Sequence, residues 1–227
     1  MSGGVRHEVI ARRESERGEV VARRREDDVL ELRVNGVFVM DTAETHAELL
    51  LAQTVLDTTA PRRRILVGGL GLGYTVREML ADRRVEHVVV AEIEPAIVDW
   101  MRSGVLPGAD LLDDARVEIR LGDVRRIVAE CPGGSLDAVL LDVDNGPDFL
   151  VYDENAALYE RRFITECRRV LDTGGVLSIW SSTSSEPLRR AIADVFGDAV
   201  TRGVPVRLQE RDETYYLIES RVSSRTL

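Results

Sequence analysis

The residues of this chain best suited to chemistry are a glycine-rich turn and three acidic stations that follow it. Gly69-Leu70-Gly71-Leu72-Gly73 comes directly after an apolar run, Ile65 to Val67, and directly before the helical spacing of GYTVREML. Glycines in a strand-to-helix turn free the backbone to take left-handed dihedrals and let a ligand approach the main chain. The pattern is not the dinucleotide fingerprint G-x-G-x-x-G, because Gly73 follows Gly71 after one residue. The acids stand at the ends of the next apolar runs: Glu92-Ile93-Glu94, then Gly122-Asp123, then Asp142-Val143-Asp144. Each has a structural reading. Glu92 and Glu94 suit a solvated strand end, Asp123 suits an N-cap for VRRIVAE, and Asp142 and Asp144 suit the turn at Asn145-Gly146-Pro147. Taken in order, they also describe a nucleoside site. Glu92, 19 residues past Gly73, is placed to accept both hydroxyls of a ribose. Asp123 would accept from the exocyclic amine of adenine, and Asp142 would stand near the reacting centre. Acids at these stations favour a ligand with hydroxyls, amines and positive charge over one rich in phosphate.

These residues need an open α/β sheet to bring them together. From residue 62 the chain alternates strand and helix: RRRILVGG, GYTVREMLAD, EHVVVAEIE, EPAIVDWM, RVEIRLGD, VRRIVAE, LDAVLLDVD, ALYERRFITECRRVL, GGVLSIW and EPLRRAIADVF. Two strands close it, AVTRGVPVRLQE and ETYYLIES, expected as a hairpin with one strand antiparallel to the rest. The fold class expected is α/β: a doubly wound, seven-stranded, mostly parallel sheet with helices on both faces. In such a sheet ligands bind beyond the carboxyl ends of the strands, where the glycine turn and the acids lie. Before it, HEVIAR, GEVVARR, VLELRV and VFVM predict a small antiparallel sheet, with Asn35-Gly36 as a two-residue hairpin turn. A helix over 43–56 follows, with Thr42 as its candidate N-cap. The expected division is residues 1–42 for the β appendage and 43–227 for the nucleoside-binding domain.

Composition narrows the function classes. The 227 residues are 44% hydrophobic, enough for a sizeable core, and the formal net charge is −10. So acidic a chain is not expected to bind nucleic acid, and its basic cluster Arg23-Arg24-Arg25 runs straight into Glu26-Asp27-Asp28. No apolar run has the length of a membrane span, and the N-terminus carries no apolar leader, so a cytoplasmic location without membrane partners is expected. Cys131 and Cys167 lack metal-ligand spacing, and His7, His46 and His87 are scattered, so no metal is expected.

The order of these motifs resembles the spermidine synthase-like aminopropyltransferases, within the class I S-adenosylmethionine-dependent transferase fold. The matching pieces are VGGLGLGYTVREML, VVVAEIEPAIVDW, RVEIRLGDVRRIV, LDAVLLDVDNGP and ALYERRFITECRRVLDTGGVLSIW, and LRVNGVFVMDTAETHAELL is similar to that family's hairpin and first helix. The resemblance implies aminopropyl transfer from S-adenosylmethionine or its decarboxylated form, used as co-substrate, to a small-molecule acceptor, an amine. It implies that Gly69, Gly71, Gly73, Glu92 and Asp123 bind the donor, that Asp142 is the catalytic acid, and that Asp144 and Tyr159 bind the acceptor. It also implies a homodimer. The chain departs from the family pattern at Leu72, where an aspartate is usual, at Val39 or Met40, where a glutamine is usual, and in the shortened Asp142–Pro147 segment. His46 and Glu48 lie near the family's tyrosine-containing helix start. Two alternatives stay open: a methyltransferase with another acceptor, and a non-catalytic nucleoside-binding protein.

Overall fold

The computed structural model describes residues 7–57, 63–208 and 211–223. The N-terminal MSGGVR, the start of the α/β rhythm at Pro61 and the end of the run at Gln209-Glu210 lie outside the described residues. Among the described residues, eleven strands form two sheets. The first is antiparallel, with β1 (His7–Ser15), β2 (Gly18–Arg25), β3 (Leu30–Val34) and β4 (Val37–Asp41) in chain order. Asn35 and Gly36 both take positive φ, 51° and 77°, as the Asn-Gly hairpin requires.

The second sheet has seven strands: β5 (Arg64–Gly68), β6 (His87–Glu92), β7 (Val117–Leu121), β8 (Leu136–Leu141), β9 (Leu171–Ser181), β10 (Val200–Leu208) and β11 (Arg211–Arg221). Their order across the sheet is β10-β11-β9-β8-β5-β6-β7. β5 to β9 pair in parallel, while β11 runs antiparallel to both β9 and β10. The expected fold class and its terminal hairpin are what the structure has.

Strand alternation builds three layers. Ile65, Val67, Val88, Val90, Ala138 and Leu140 point into one core, and Leu66, Val89, Ala91, Val139 and Leu141 into the other. The first core takes α1 (His46–Leu56), α2 (Tyr74–Ala81) and α3 (Pro95–Arg102) through Leu51, Val76, Ile97 and their neighbours. The second takes α5 (Val124–Glu130), α6 (Arg161–Val170) and α7 (Glu186–Phe196) through Ile127, Ile164 and Ile192. A short α4 (Ala109–Leu112) lies between α3 and β7. Burial of both faces explains why β5, β6 and β8 read as continuous apolar runs.

The link between the sheets corrects one expectation. The Thr42 hydroxyl does not cap a helix; it accepts from the Leu30 N–H at 3.0 Å. Asp41 Oδ1 instead accepts from the N–H groups of Ala43 and Glu44, both at 2.9 Å, and Arg25 holds Asp41 Oδ2 at 3.1 Å. This delays the helix to His46, with Thr45 at its N-cap position.

Candidate active site

The strand order reverses between β5 and β8, and the loops leaving these two strands diverge there. Such a switch point leaves a crevice at the carboxyl ends of the strands. The Gly69 N–H donates to the Ala91 carbonyl and the Asp142 N–H to the Gly68 carbonyl, each at 2.8 Å, so the ends of β5, β6 and β8 stay in register as they open into the crevice. Gly69 has a φ of 90°, and a Cβ there would fall onto the Asp142 carbonyl oxygen. Gly71 has a φ of 51°, and a Cβ there would run into the Met40 sulfur. The turn is therefore glycine-rich for two reasons, handedness and the close approach of β4 and the β8 loop.

One cleft brings the predicted stations together. Its wall includes Gly69, Gly71, Glu92, Asp123, Asp142 and Asp144 from the second sheet, and Leu32, Val34, Val39 and Met40 from the first. Its space, counted out to the open mouth, is about 950 Å³, within the range of small-molecule sites. Gly73 is not in the wall; it sits at the N-cap of α2 with a φ of 85° and packs beside Leu111. Tyr159 is not in it either. It is buried in the second core, where desolvation and the charges of Asp144 and Asp142 hold its phenol well above the ordinary range. His46 is exposed and is not among the residues that line the cleft.

The acids differ in how they are held. Glu92 is buried, and each of its carboxylate oxygens takes a main-chain N–H: Oε2 from Leu70 at 2.8 Å and Oε1 from Glu94 at 2.7 Å. Burial raises its pKa, and these N–H groups partly offset the rise. Asp123 caps α5, accepting from the Arg125 N–H at 2.8 Å, and its carboxylate is also clamped by the Arg125 guanidinium, the shortest contact being 2.6 Å. Desolvation works against its charge, but Arg125 outweighs it and the pKa is lowered. The cap reading and the cleft reading of Asp123 both hold.

Asp142 meets the cleft at the end of β8, and the Thr75 hydroxyl donates to its Oδ2 at 3.3 Å. Burial pushes its pKa up to about 6, which Thr75 tempers. Its proton affinity lies above that of a free carboxylate, which suits general base work. Asp144 is engaged differently. Oδ1 accepts from the N–H groups of Asn145 and Val151 at 2.8 and 2.7 Å, and Oδ2 accepts from Asn155 Nδ2 at 2.7 Å. It folds the 145–155 loop over the cleft.

Residues beyond the sequence prediction complete the wall. The Tyr152 hydroxyl donates to Glu94 Oε1 at 2.7 Å, while Arg17 from the first sheet stands over the Tyr152 ring at 5.8 Å. Leu72, at the usual aspartate position, is buried in the first core and absent from the cleft wall, and its N–H donates to Met40 Sδ at 3.1 Å. Glu48 of α1 and Trp180 of β9 also line the cleft. The resemblance had placed Glu48 near the family's helix start, whereas no motif marked Trp180 apart from an ordinary core tryptophan.

The spermine/spermidine synthase domain model matches residues 35–191. The chain belongs to that family. Among its relatives, a polyamine aminopropyltransferase of Nitrosomonas europaea is 31% identical over 73% of this chain and 52% of its own length. That of Mycobacterium tuberculosis is 31% identical over 75% of this chain and 32% of its own. A spermine synthase of Arabidopsis thaliana is 28% identical over 61% and 38%. The chain thus spans about half the length, or less, of these relatives. In fold it superposes on a spermidine synthase solved in complex with the transition state analogue AdoDATO, with a TM-score of 0.82 at 18% identity, covering 95% of this chain and 74% of that one. For the Thermotoga maritima spermidine synthase the TM-score is 0.78, with 95% and 73% covered.

Proposed function

We propose that this chain is an aminopropyltransferase: it moves the aminopropyl group of decarboxylated S-adenosylmethionine to an amine. The observation that carries this reading is the convergence of Gly69, Gly71, Glu92, Asp123 and Asp142 on one cleft between the two sheets. Family membership supports it, as does the fold likeness to spermidine synthases. Glu92 would receive the ribose hydroxyls, and the Asp123 side of the cleft would receive the adenine. The glycine turn would let the donor lie against the main chain.

The chemistry asks little more than alignment and a base. The lone pair of a neutral amine attacks the carbon beside the sulfonium. A C–N bond forms, the C–S bond breaks, and its electron pair goes to sulfur, leaving a neutral thioether. The proton lost by the new ammonium passes to Asp142. No general acid is needed, because the leaving group carries no charge to neutralise. Asp142, held by Thr75 and raised in basicity by burial, has the position and basicity for that role. Asp144 and Tyr159 would support the acceptor side indirectly, by shaping the loop above Asp142.

Thermal shift with four ligands tests the reading: decarboxylated S-adenosylmethionine, S-adenosylmethionine, methylthioadenosine and S-adenosylhomocysteine. Selective stabilisation by the decarboxylated donor and by methylthioadenosine is expected, with turnover that Asp142→Asn abolishes while donor binding stays. Preference for the carboxylated pair would show a methyltransferase instead. No response to any would leave a protein without this donor.

A further inference from the structure

We propose that Glu48 is a substrate-binding carboxylate that receives the ammonium group of a reactant in the cleft. The inference deepens the aminopropyl-transfer reading and rests on it. Three observations converge on this residue. First, Glu48 lines the cleft, and its Oε2 is buried without any hydrogen-bond partner among the described residues. Second, Trp180 lines the same cleft, is only 8% exposed, and its Nε1 is likewise buried and unpartnered. Buried polar groups in folded proteins are nearly always satisfied, so an orphan acceptor and an orphan donor in one cavity wall point to a ligand that satisfies them. Third, the two orphans belong to one neighbourhood. Trp180 packs edge-on against Tyr215, with centroids 4.9 Å apart, and Tyr215 feels the charge of Glu48.

The surroundings select the ligand's charge. Asp142 from the end of β8, and Asp41 and Glu44 from the link into α1, all act on Glu48. The phenols of Tyr74 on α2 and Tyr215 on β11 feel it in turn. Arg77, the cation near Tyr74, is taken up by Asp110 at 2.7 and 2.8 Å. Burial first, and the charge of Asp142 second, push the Glu48 pKa up, so its carboxyl holds a proton more readily than a free one. An ammonium replaces that proton: it brings the positive charge the acids call for and donates to Oε2, and the Glu48 proton leaves to solvent. The departure at position 72 gives this significance. With Leu72 buried in the core, α1 supplies to the cleft a carboxylate that the glycine turn does not.

The ammonium has two possible sources, the aminopropyl end of the donor and the acceptor amine. Calorimetric titration of wild type and Glu48→Gln with decarboxylated S-adenosylmethionine and with methylthioadenosine, which has no ammonium, separates them from a structural role. Steady-state kinetics with a diamine acceptor complete the test. Glu48→Gln is expected to leave methylthioadenosine affinity within twofold, which also shows that the variant folds. A tenfold or greater loss of affinity for the decarboxylated donor assigns Glu48 to the donor's ammonium. An unchanged donor affinity, with the acceptor KM raised tenfold or more and kcat nearly kept, assigns it to the acceptor. In either case wild type releases a proton on binding that reactant, and the variant does not. The proposal is overturned if neither reactant weakens, or if methylthioadenosine weakens equally. Absence of all adenosine-ligand binding by wild type would overturn the function proposed above, and this inference with it.

Discussion

Glu92→Gln is the most informative single change to the nucleoside half of the cleft. In the wild type the two oxygens of Glu92 accept one main-chain N–H each, from Leu70 and from Glu94. A glutamine keeps the shape but offers one acceptor and one donor, so its amide nitrogen must face one of those N–H groups. A hydrogen bond to a charged acceptor contributes about 1.5–3 kcal/mol. Part of that loss is recovered, because the neutral amide escapes the burial that raises the Glu92 pKa. The fall in Tm is therefore at most about 10 °C for a chain of this size. Ligand affinity has no such compensation. A ribose diol would lose its charged acceptor, again about 1.5–3 kcal/mol, which is roughly a 10- to 150-fold weaker Kd for methylthioadenosine. Calorimetric titration reads the affinity, and a circular dichroism melt confirms the fold. A Kd within twofold of wild type, whatever the Tm, would refute the placement of the ribose at Glu92 and leave that side chain as a brace for the glycine turn.

Two further perturbations probe the electrostatics and the turn. Burial raises the pKa of Glu48 to about 8 and of Asp142 to about 6, so the folded state holds protons that the unfolded chain releases. For raised acids the stabilisation is complete below the ordinary carboxyl value and is lost as pH climbs through the folded value. The Tm of the unliganded protein should accordingly fall between about pH 4 and 8, and Glu48→Gln should flatten the upper part of that slope; a Tm independent of pH in the wild type would contradict it. Gly69→Ala forces a side chain into a φ of 90° and onto the Asp142 carbonyl oxygen. It should lower Tm by at least about 3 °C, from roughly 1–3 kcal/mol of backbone strain plus the overlap, and turnover should fall as Asp142 shifts; an unchanged melt and rate would show that the turn is not so confined.

Local signals made the fold legible. The runs Ile65–Val67 and Val88–Ala91 are apolar throughout because helices cover both faces, and that is the mark of a parallel strand. Asn35-Gly36 fixed a hairpin with two residues. Less legible was the stretch 157–171, which reads as one helix. It is in fact a 3₁₀ turn (Asp153–Leu158) followed by α6, with the break at Tyr159-Glu160. Tertiary packing of Tyr159 behind the 145–155 loop sets that break, and no periodicity announces it. In the site, Glu92, Asp123 and Asp142 were visible because strand order alone puts strand ends side by side. The share each carboxylate gives to its own loop was not. Asp144 reads in the sequence as a turn residue or an acceptor ligand, and three donors from residues 145, 151 and 155 occupy it. The pairing of Glu48 with Trp180 was hidden for the opposite reason: they come from elements far apart in the chain, and only the packing of α1 and β9 on the same cavity joins them.

The cavity wall is divided between two sheets, with Leu32, Val34, Val39 and Met40 on one side and the strand-end acids on the other. A molecule seated there touches both, so its binding energy also fastens the hairpin sheet to the larger one. Occupancy should thus reach amides in β3 and β4 that no ligand contacts, slowing their hydrogen exchange together with that of the larger sheet.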